Sequence, residues 1–379
     1  MKGKQGLVCM GLLLVLSSCS CHTGKQITAS GLQRKDFLTE VNGQHTDLFT
    51  LSNKQGMEVC ITNYGARVVS ILVPDRNGKR EDVVCGFSTI TEYMEQRQNF
   101  GSTVGRYIGR ILNARFTLDG VEYKLVPNNG KSGHISHGGN PGFADRIWKV
   151  EQADTHRVRL SYLSPDGENG FPGNLKVTLV YSLGEDDNAL DLTYEATTDA
   201  PTVLNLSHHS FFNISGNFTK SVEDQQLWVD ADRFTPYDDK KCVTGEYLPV
   251  AGTPLDFRMP HTIGECIDAD HPQLKVVNGY DHTWELNTKG DDTRPAAWVY
   301  DPASGRKMEI FTTEPGMQIY TGNGLKGKMT GKGGIAYPFR SAVCFETMHF
   351  QDSPNQPGFP STVLRPGEVF RSHTVYKFE

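Results

Sequence analysis

The chain lacks the charge pattern of a protein that binds nucleic acid. Its 379 residues contain 38 Lys and Arg against 44 Asp and Glu, which gives a net charge of -6 at pH 7 and a calculated pI of 6.1. No basic run is present that could neutralise a row of phosphates, so we expect no nucleic-acid partner. With 37% hydrophobic and 22% charged residues, the composition is that of a globular protein with a large core.

Cysteine is sparse and its spacing is irregular. Three of the eight cysteines, Cys9, Cys19 and Cys21, lie near the N terminus. The remaining five are scattered without any C-x-x-C pair: Cys60, Cys85, Cys242, Cys266 and Cys344. This pattern argues against a zinc site and against a dense disulfide framework. Spacing alone does not say which of the five would pair in an oxidising compartment.

The apolar run at the N terminus is too short to cross a bilayer. It extends from Leu7 to Leu16, follows Lys2 and Lys4, and has the proportions of a signal peptide. The sequence Leu16-Ser-Ser-Cys19 resembles a bacterial lipobox, in which cleavage before the cysteine leaves that residue to carry lipid. The pattern therefore predicts an exported lipoprotein.

This interpretation divides the chain into three parts. Residues 1–18 are predicted to be a removed signal peptide, residues 19–32 a polar tether that begins with lipidated Cys19, and residues 33–379 the folded domain. Acyl chains on Cys19 would anchor the domain in the bacterial periplasm or cell envelope and would be its only membrane contact. The alternative is a plain secretory signal that is cut at another bond.

Segments of helical period are few, and the domain is predicted to be all-β. Short β-prone runs alternate with Gly, Pro, Asn and Asp, and pairs such as Asp119-Gly120 favour tight hairpins because they accept positive φ. Weak helical patterns occur only near Thr89–Gln98 and His261–Cys266. No linker, composition break or repeat divides residues 33–379, so we predict one large β-sandwich. We also expect a monomer, although no feature of the sequence determines the oligomeric state.

A single carboxylate stands in the middle of the C-terminal apolar run Ser341–Phe350. Strand alternation places Cys344, Glu346 and Met348 on one face, while the opposite face is also mostly apolar. A strand that is apolar on both faces is usually covered on both, so Glu346 must be paired, hydrogen-bonded or directed at a polar cavity. A buried ion pair, for example with Arg340, and a catalytic base are both open at this point.

Two glycine-rich stretches carry cationic or imidazole side chains. Arg106 and Arg110 stand four residues apart in apolar surroundings, where they could bind sugar hydroxyls or a carboxylate, or form structural ion pairs. His134 and His137 stand three apart before a Gly pair, a spacing that does not bring two metal ligands to one face of a strand or loop. A polar substrate contact through His137 is the better hypothesis.

Two further candidates combine polar groups with aromatic neighbours. His208 and His209 are adjacent, so on a strand they point to opposite faces and only one can reach a given cleft. The periodicity does not decide which of them does. Asp281 lies near Trp284, a pairing that suits a sugar because the carboxylate accepts hydroxyl hydrogens and the ring covers C–H bonds. Trp284 could equally belong to the core.

Taken together, these segments resemble the aldose 1-epimerase family, also called the galactose mutarotases. The resemblance covers nearly all of residues 33–379 and rests on several long motifs in one order. The motifs are Asn63-Tyr-Gly-Ala, Gly105-Arg-Tyr-Ile-Gly-Arg-Ile, Ser136-His-Gly-Gly with Gly142-Phe and Trp148, His209-Ser-Phe-Phe-Asn-Ile-Ser-Gly, Gly279-Tyr-Asp-His, Glu314-Pro-Gly-Met-Gln-Ile-Tyr-Thr-Gly-Asn, and Phe345-Glu-Thr followed by Pro354-Asn-Gln-Pro-Gly-Phe-Pro-Ser.

The resemblance implies a β-sandwich of the galactose-mutarotase type, also called a supersandwich. It implies interconversion of the α and β anomers of free aldoses such as glucose and galactose. By matching motif positions, His209 rather than His208 is expected to be the general acid and Glu346 the general base. The other matched residues are expected to contact the monosaccharide, and they are Arg110, His137, Asp281 and Phe211.

The expected reaction opens and recloses a pyranose ring. Opening requires removal of the proton of the anomeric hydroxyl and donation of a proton to the ring oxygen. We expect Glu346 and His209 to flank the sugar, held apart by its width. We also expect an ionised carboxylate and an imidazolium near its ordinary pKa of about 6.5. The reaction needs no cofactor, and no metal is expected.

Three positions depart from the family pattern. Gly109 stands where Asn is common before the arginine, and Met348 stands where Gln is common after Glu-Thr. Ser136 stands where Leu is common before His-Gly-Gly. The first two departures would remove hydroxyl contacts and so shift the sugar preference. None of the three touches the expected acid or base.

Three alternative functions stay open from the sequence. One is a non-catalytic, lipid-anchored sugar-binding protein, although the presence of both proton-transfer residues argues against it. Another is a relative of the hexose-6-phosphate epimerases, which would need more cationic residues for the phosphate. The third is a glycosidase, which would need a second carboxylate beside Glu346, and the sequence offers no clear partner.

Overall fold

The computed structural model describes residues 26–379, which form antiparallel sheets with two short α-helices, α1 (Ile90–Gln96) and α2 (Pro272–Val277). In chain order the strands are β1 (Glu40–Val41), β2 (Gln44–His45), β3 (Leu48–Ser52), β4 (Glu58–Thr62), β5 (Arg67–Pro74), β6 (Arg80–Asp82), β7 (Ser102–Val104), β8 (Arg110–Ile111), β9 (Arg115–Leu118), β10 (Val121–Lys124), β11 (Ile135–Ser136), β12 (Lys149–Ala153), β13 (Arg157–Ser164), β14 (Leu175–Leu183), β15 (Ala189–Thr198), β16 (Thr202–Val203), β17 (Ser207–His209), β18 (Phe211–Phe212), β19 (Gln226–Val229), β20 (Arg233–Thr235), β21 (Leu248–Pro249), β22 (His261–Thr262), β23 (Asp281–Glu285), β24 (Ala297–Tyr300), β25 (Lys307–Thr312), β26 (Gly316–Tyr320), β27 (Val343–Met348), β28 (Val363–Leu364) and β29 (Phe370–Phe378). The predicted signal peptide, residues 1–18, and the predicted lipidation site at Cys19 lie outside the described residues. In the described part of the chain, neither helix has the length and apolar character needed to cross a membrane.

Three sheets make up most of the fold. The largest has nine strands in the order β12-β13-β14-β15-β29-β25-β24-β19-β22. The second has six strands in the order β18-β27-β26-β23-β20-β21, and the third has four in the order β3-β4-β5-β6. The ladders within these three sheets are antiparallel. The prediction of an all-β sandwich is confirmed.

The main core lies between the nine-stranded sheet and the two smaller sheets. Along β14, buried residues alternate with partly exposed ones, which is the pattern of a strand with one covered face. By contrast, every residue of β27 is buried. The expectation that this C-terminal strand is covered on both faces is therefore confirmed. β27 carries Glu346 into the interior, where the carboxylate requires polar neighbours.

One of the two expected helices is present. α1 begins after Thr89, whose side chain accepts from the N–H of Glu92 while the Glu92 carboxylate accepts from the N–H of Thr89. The expected helix at His261–Cys266 is wrong, because His261 and Thr262 form β22 and pair with β19. The second helix begins instead at Pro272, a residue whose fixed φ suits the first turn of a helix.

Residues 26–32, the described end of the predicted tether, pack against the domain. Ile27 forms a bridge with Gln33, and the N–H of Ala29 donates to the carboxylate of Glu58 at 2.6 Å. Leu32 is buried in a hydrophobic cluster. This end of the predicted tether is therefore part of the folded unit, while residues 19–25 lie outside the described residues.

Candidate active site

A polar cavity of about 250 Å³ opens where the ends of several strands meet. Its walls come from β8, β11, β17, β18, β23, β26 and β27 and from neighbouring loops. The lining residues are Gln98, Asn99, Gly109, Arg110, Ser136, His137, His209, Phe211, Asp281, Gln318, Tyr320, Glu346, Met348 and Gln351. All the residues that the sequence assigned to the site are among them. The size and the amide, carboxylate and guanidinium groups suit a small ligand with many hydroxyls.

The two adjacent histidines point to opposite sides of β17, as strand alternation requires. His209 lines the cavity. The His208 ring is buried in the core, where its Nε2 lies 2.6 Å from Oγ of Ser210 and its Nδ1 lies 3.5 Å from Oη of Tyr181. His209 is therefore the member of the pair that is placed for chemistry in the cavity.

The imidazole of His209 and the carboxylate of Glu346 are in direct contact. Nε2 of His209 lies 3.1 Å from Oε1 of Glu346, and the two side chains are 7% and 5% exposed. The expectation that a gap as wide as a sugar ring separates them is wrong. The reason is that the anomeric hydroxyl and the ring oxygen are bonded to the same carbon. An acid and a base that serve both oxygens can therefore lie close enough to touch.

Burial pushes both groups toward their uncharged forms. Burial, reinforced by repulsion from His137, lowers the pKa of His209 well below its usual 6.5. Burial and the charge of Asp281 raise the pKa of Glu346 well above its usual 4.5, against the attraction of Arg110. The expected imidazolium and ionised carboxylate are therefore the less favoured form of this pair, because a low dielectric disfavours separate charges. The neutral pair instead shares one proton that either group can carry.

A free thiol contacts the other nitrogen of the His209 ring. Nδ1 lies 3.7 Å from Sγ of Cys344, which like the other four cysteines of the described residues forms no disulfide. Burial, with the charge of Glu346, raises the pKa of Cys344 well above its usual 9.0 and keeps it protonated. Because sulfur is also a weak acceptor, we place the ring proton of neutral His209 on Nδ1, facing Sγ, which leaves Nε2 free to exchange a proton with Glu346.

Aromatic packing holds the same ring from its face. The ring of Phe211 stacks on His209 with 5.1 Å between centroids and 25° between planes. Phe211 is itself supported edge-on by Phe100 at 4.9 Å and by Tyr320 at 5.9 Å. His209 is thus fixed in both tautomer and orientation, which a proton-transfer group requires.

Opposite charges stand in the wall near the pair. The carboxylate of Asp281 accepts from Nε2 of Gln318 at 2.6 Å, and Gln318 lies directly opposite Glu346 in the β26–β27 ladder. Burial raises the pKa of Asp281, with Arg110 acting against the shift. Burial would lower the pKa of Arg110, but Tyr237 and Asp281 outweigh it and the pKa rises. Asp281, which the sequence predicted as a sugar-binding residue, is thus a second carboxylate in the cavity wall with Glu346.

His137 adds a neutral imidazole to the wall. Its backbone φ of 54° lies in the left-handed region, just before the two glycines that follow it. Burial, with the charge of Arg110, lowers the pKa of His137 to about 4, so the ring is neutral at pH 7. Its Nδ1 is buried and has no partner among the described residues. The ring therefore lines the cavity as a neutral group and has one buried nitrogen that forms no hydrogen bond within the described residues.

The other candidates from the sequence are structural. The buried guanidinium of Arg106 donates to Oγ and to the carbonyl oxygen of Ser164, at 2.8 and 3.0 Å. His134 accepts the N–H of Asn113 on its Nδ1. Trp284 is fully buried in the main core. Each of these residues is held by contacts outside the cavity wall.

Sequence reasoning missed several polar residues of the wall. They are Gln98, Asn99, Gln318, Tyr320 and Gln351. A signal existed for two of them, since Gln318 and Tyr320 are two apart in β26 and therefore share a face, within a motif that had been recognised. The others lie in loops, which have no periodicity from which a direction can be derived.

In the described part of the chain, three side chains of the kinds that bind metal ions lie close together. Atoms of His209, Cys344 and Glu346 all lie within 4.8 Å of one another. However, Nδ1 of His209 faces the sulfur while Nε2 faces the carboxylate. A metal ion takes only one nitrogen of a ring, so one of the other two donors would lie on the far side. The arrangement suits proton transfer better than metal binding.

A comparison with protein families decides the relationship of this chain. The family model for aldose 1-epimerase matches residues 47–377. The chain belongs to the aldose 1-epimerase family. It is accordingly an isomerase that acts on sugars, and the family expected from the sequence motifs is confirmed.

Related epimerases match the chain over most of its length. Galactose mutarotase from Sus scrofa is 39% identical over 330 residues, which cover 87% of this chain and 93% of the pig protein. Aldose 1-epimerase from Escherichia coli K12 is 36% identical over 339 residues, which cover 89% of this chain and 96% of the bacterial protein. The crystal structure of an aldose epimerase homologue from C. elegans has a TM-score of 0.81 at 31% identity, covering 88% of this chain and 99% of that protein.

Proposed function

We propose that this epimerase interconverts the α and β anomers of free aldoses such as glucose and galactose, with Glu346 and His209 as the proton-transferring pair. The observation that carries the proposal is the 3.1 Å contact between Nε2 of His209 and Oε1 of Glu346 in a polar cavity. A buried pair that shares one proton can accept a proton at one atom and release one at the other without a net change in charge.

Ring opening moves one proton onto the pair and one proton off it. The ring opens from the less favoured form of the pair, in which His209 carries the shared proton. In this form the carboxylate of Glu346 accepts the proton of the anomeric hydroxyl, and Nε2 of the His209 imidazolium gives its proton to the ring oxygen. The bond between the anomeric carbon and the ring oxygen breaks, and the electron pair released from the hydroxyl forms the carbonyl. Glu346 is then protonated and His209 neutral, which is the state that burial favours. This preference lowers the free energy of the open-chain intermediate relative to the charged form of the pair from which the ring opens.

Ring closure returns the pair to its starting state. After rotation about the bond between the first two carbons, His209 takes back the proton of the hydroxyl that was the ring oxygen. This oxygen attacks the other face of the carbonyl, and Glu346 protonates the new anomeric oxygen. Protons balance over the cycle, so no external acid or base is consumed. Each positioned proton transfer is typically worth about 10²- to 10⁴-fold in rate.

The remaining wall residues hold the part of the sugar that does not react. Arg110 supplies guanidinium donors, Asp281 supplies acceptor oxygens, and His137 supplies a neutral imidazole. Phe211 presents an aromatic ring beside His209. Held in this way, the sugar keeps its anomeric carbon at the His209–Glu346 pair, which is a positioning effect.

Polarimetry of freshly dissolved α-glucose and α-galactose tests the function directly. The protein should accelerate the decay of optical rotation to the equilibrium value, and anomer-exchange NMR on a panel of aldoses should rank the substrates. Sugar binding without any acceleration would support the non-catalytic binding protein instead. Hexose 6-phosphates should be poor substrates, because Arg110 is the one permanent cation among the described residues that line the cavity.

We also propose that the protein is a lipoprotein of the bacterial periplasm or cell envelope, anchored through Cys19. The support is the short apolar run and the Leu16-Ser-Ser-Cys19 sequence behind it. In a bacterial host, the full chain should incorporate a labelled fatty acid and sediment with membranes, whereas Cys19→Ser should do neither. A label retained by the variant would contradict the proposal, and Cys21→Ser is the matched control.

A further inference from the structure

The side chain of Gln351 covers the backbone at Gly109. Gly109 has a φ of +76°, in the left-handed region that glycine adopts freely. A Cβ atom at this position would lie 2.6 Å from Cγ and 3.1 Å from Cδ of Gln351. These distances are far shorter than a van der Waals contact between carbon atoms. The missing side chain at position 109 therefore makes the room that Gln351 occupies in the cavity wall.

The hydrogen bonds of Gln351 determine the orientation of its amide. Nε2 donates to Oη of Tyr237 at 2.7 Å and to Oε1 of Gln318 at 3.3 Å. Gln318 uses its own Nε2 toward Asp281, so its Oε1 is the atom that faces Gln351. Oε1 of Gln351 therefore lies on the side of Arg110, whose Nη1 is 3.5 Å away. An amide oxygen with one long contact can still accept another hydrogen.

We propose that Gln351 is a sugar-binding residue that helps to determine specificity, with its Oε1 accepting a hydrogen from a sugar hydroxyl held beside Arg110. The inference rests on the proposed epimerase function and adds one residue that recognises the sugar. Gln351 is only 4% exposed and already ordered by its neighbours, so little side-chain freedom is lost when the sugar binds. A buried polar group left unpaired discriminates against sugars that lack the hydroxyl.

Gln351→Met tests the role of the amide, because methionine keeps the length of the side chain and removes both polar atoms. KM for the preferred aldose should rise by about 3- to 10-fold, the effect of one neutral hydrogen bond, while kcat stays within about twofold. Monodeoxy sugars then identify the hydroxyl. With the wild type, KM for one of these deoxy sugars should be higher by the same factor. With Gln351→Met, KM for that deoxy sugar should not rise further. An unchanged KM for every sugar would overturn the proposal.

Gly109→Asn tests whether the two positions share one space. Asparagine tolerates positive φ and carries a carboxamide, but its Cβ would collide with Gln351. The single variant Gly109→Asn should raise KM for the preferred aldose. Combined with Gln351→Ala, it should bind the sugar better than Gln351→Ala alone, since the collision is gone and an amide has returned. If the effects of the two substitutions on KM are strictly additive, the side chains at positions 109 and 351 do not share one space.

Gln356→Ala is the matched control. Gln356 lies in the same segment and donates to Asp352 at 2.8 Å, but it does not line the cavity, so kcat and KM should equal those of the wild type. Absence of anomer exchange in the wild type would overturn the function itself, whereas normal exchange with unchanged KM in Gln351→Met would overturn only the role of Gln351. If thermal melts show that Gln351→Met is unfolded, the proposal is tested by the KM of Gly109→Asn. A KM equal to that of the wild type would then overturn the proposal.

Discussion

Replacing Glu346 with Gln should slow anomer exchange by about 10²- to 10⁴-fold, because one positioned proton transfer is lost. The amide has nearly the shape of the carboxylate, so the packing of β27 and the approach of His209 can persist. An amide cannot take up the anomeric proton, and a side chain that is only 5% exposed leaves little access for a water molecule that could replace it. Polarimetry should show a fall in kcat with little change in KM, which is the signature of an interaction made in the transition state.

The chain offers a matched control for this variant. Glu314 is also buried and also contacts an imidazole, with its Oε2 2.7 Å from Nδ1 of His349, but it does not line the cavity. Glu314→Gln should lower thermal stability and leave kcat unchanged. A Glu346→Gln enzyme that keeps most of its activity would remove Glu346 as the base and point to Asp281, the other carboxylate of the wall.

Replacing His209 with Asn should also lower kcat by about 10²- to 10⁴-fold, because the ring oxygen then has no partner that can exchange a proton near neutral pH. The side-chain amide can still form a hydrogen bond, so the loss isolates proton transfer from simple contact. The variant should also lose one ionisation from the dependence of kcat on pH, because the coupled pair is reduced to Glu346 alone. Polarimetry over a range of pH values measures both effects.

His208→Asn separates chemistry from folding at the neighbouring position. The His208 ring is buried against Ser210 and Tyr181 on the opposite side of β17, so this variant should melt at a lower temperature and keep its kcat. Equal losses of kcat in folded samples of both variants would contradict the assignment of His209 as the acid. Full activity of His209→Asn would contradict it outright.

Several features of the molecule could be derived from local sequence patterns. The pair Asp119-Gly120 forms the turn between β9 and β10 with φ values of 51° and 80°, as residues tolerant of positive φ predict. Alternation correctly placed Glu346 with Cys344 and Met348, and it required His208 and His209 to diverge. These predictions succeeded because strand geometry repeats every two residues and depends only on the chain itself.

Other features could not be derived from such patterns. Arg340 was a possible partner for Glu346, yet it pairs with Glu223 at 2.8 Å and with Asp268 at 2.7 Å. A gap as wide as a sugar ring was expected between Glu346 and His209, whereas the two side chains are in contact. No sequence pattern predicted that the amide of Gln351 occupies the space beside Gly109, because position 351 follows the end of β27 and belongs to no periodic element.

The amino-acid order was sufficient for the family, the all-β class and the identity of the candidate acid and base, because motifs and alternation are carried by neighbours along the chain. The distance between Nε2 of His209 and Oε1 of Glu346 depends instead on how β17 and β27 pack within the folded sheets. Burial of the two groups depends on the same packing, and burial sets the directions of their pKa shifts. The protonation chemistry of the site is therefore a property of the folded molecule.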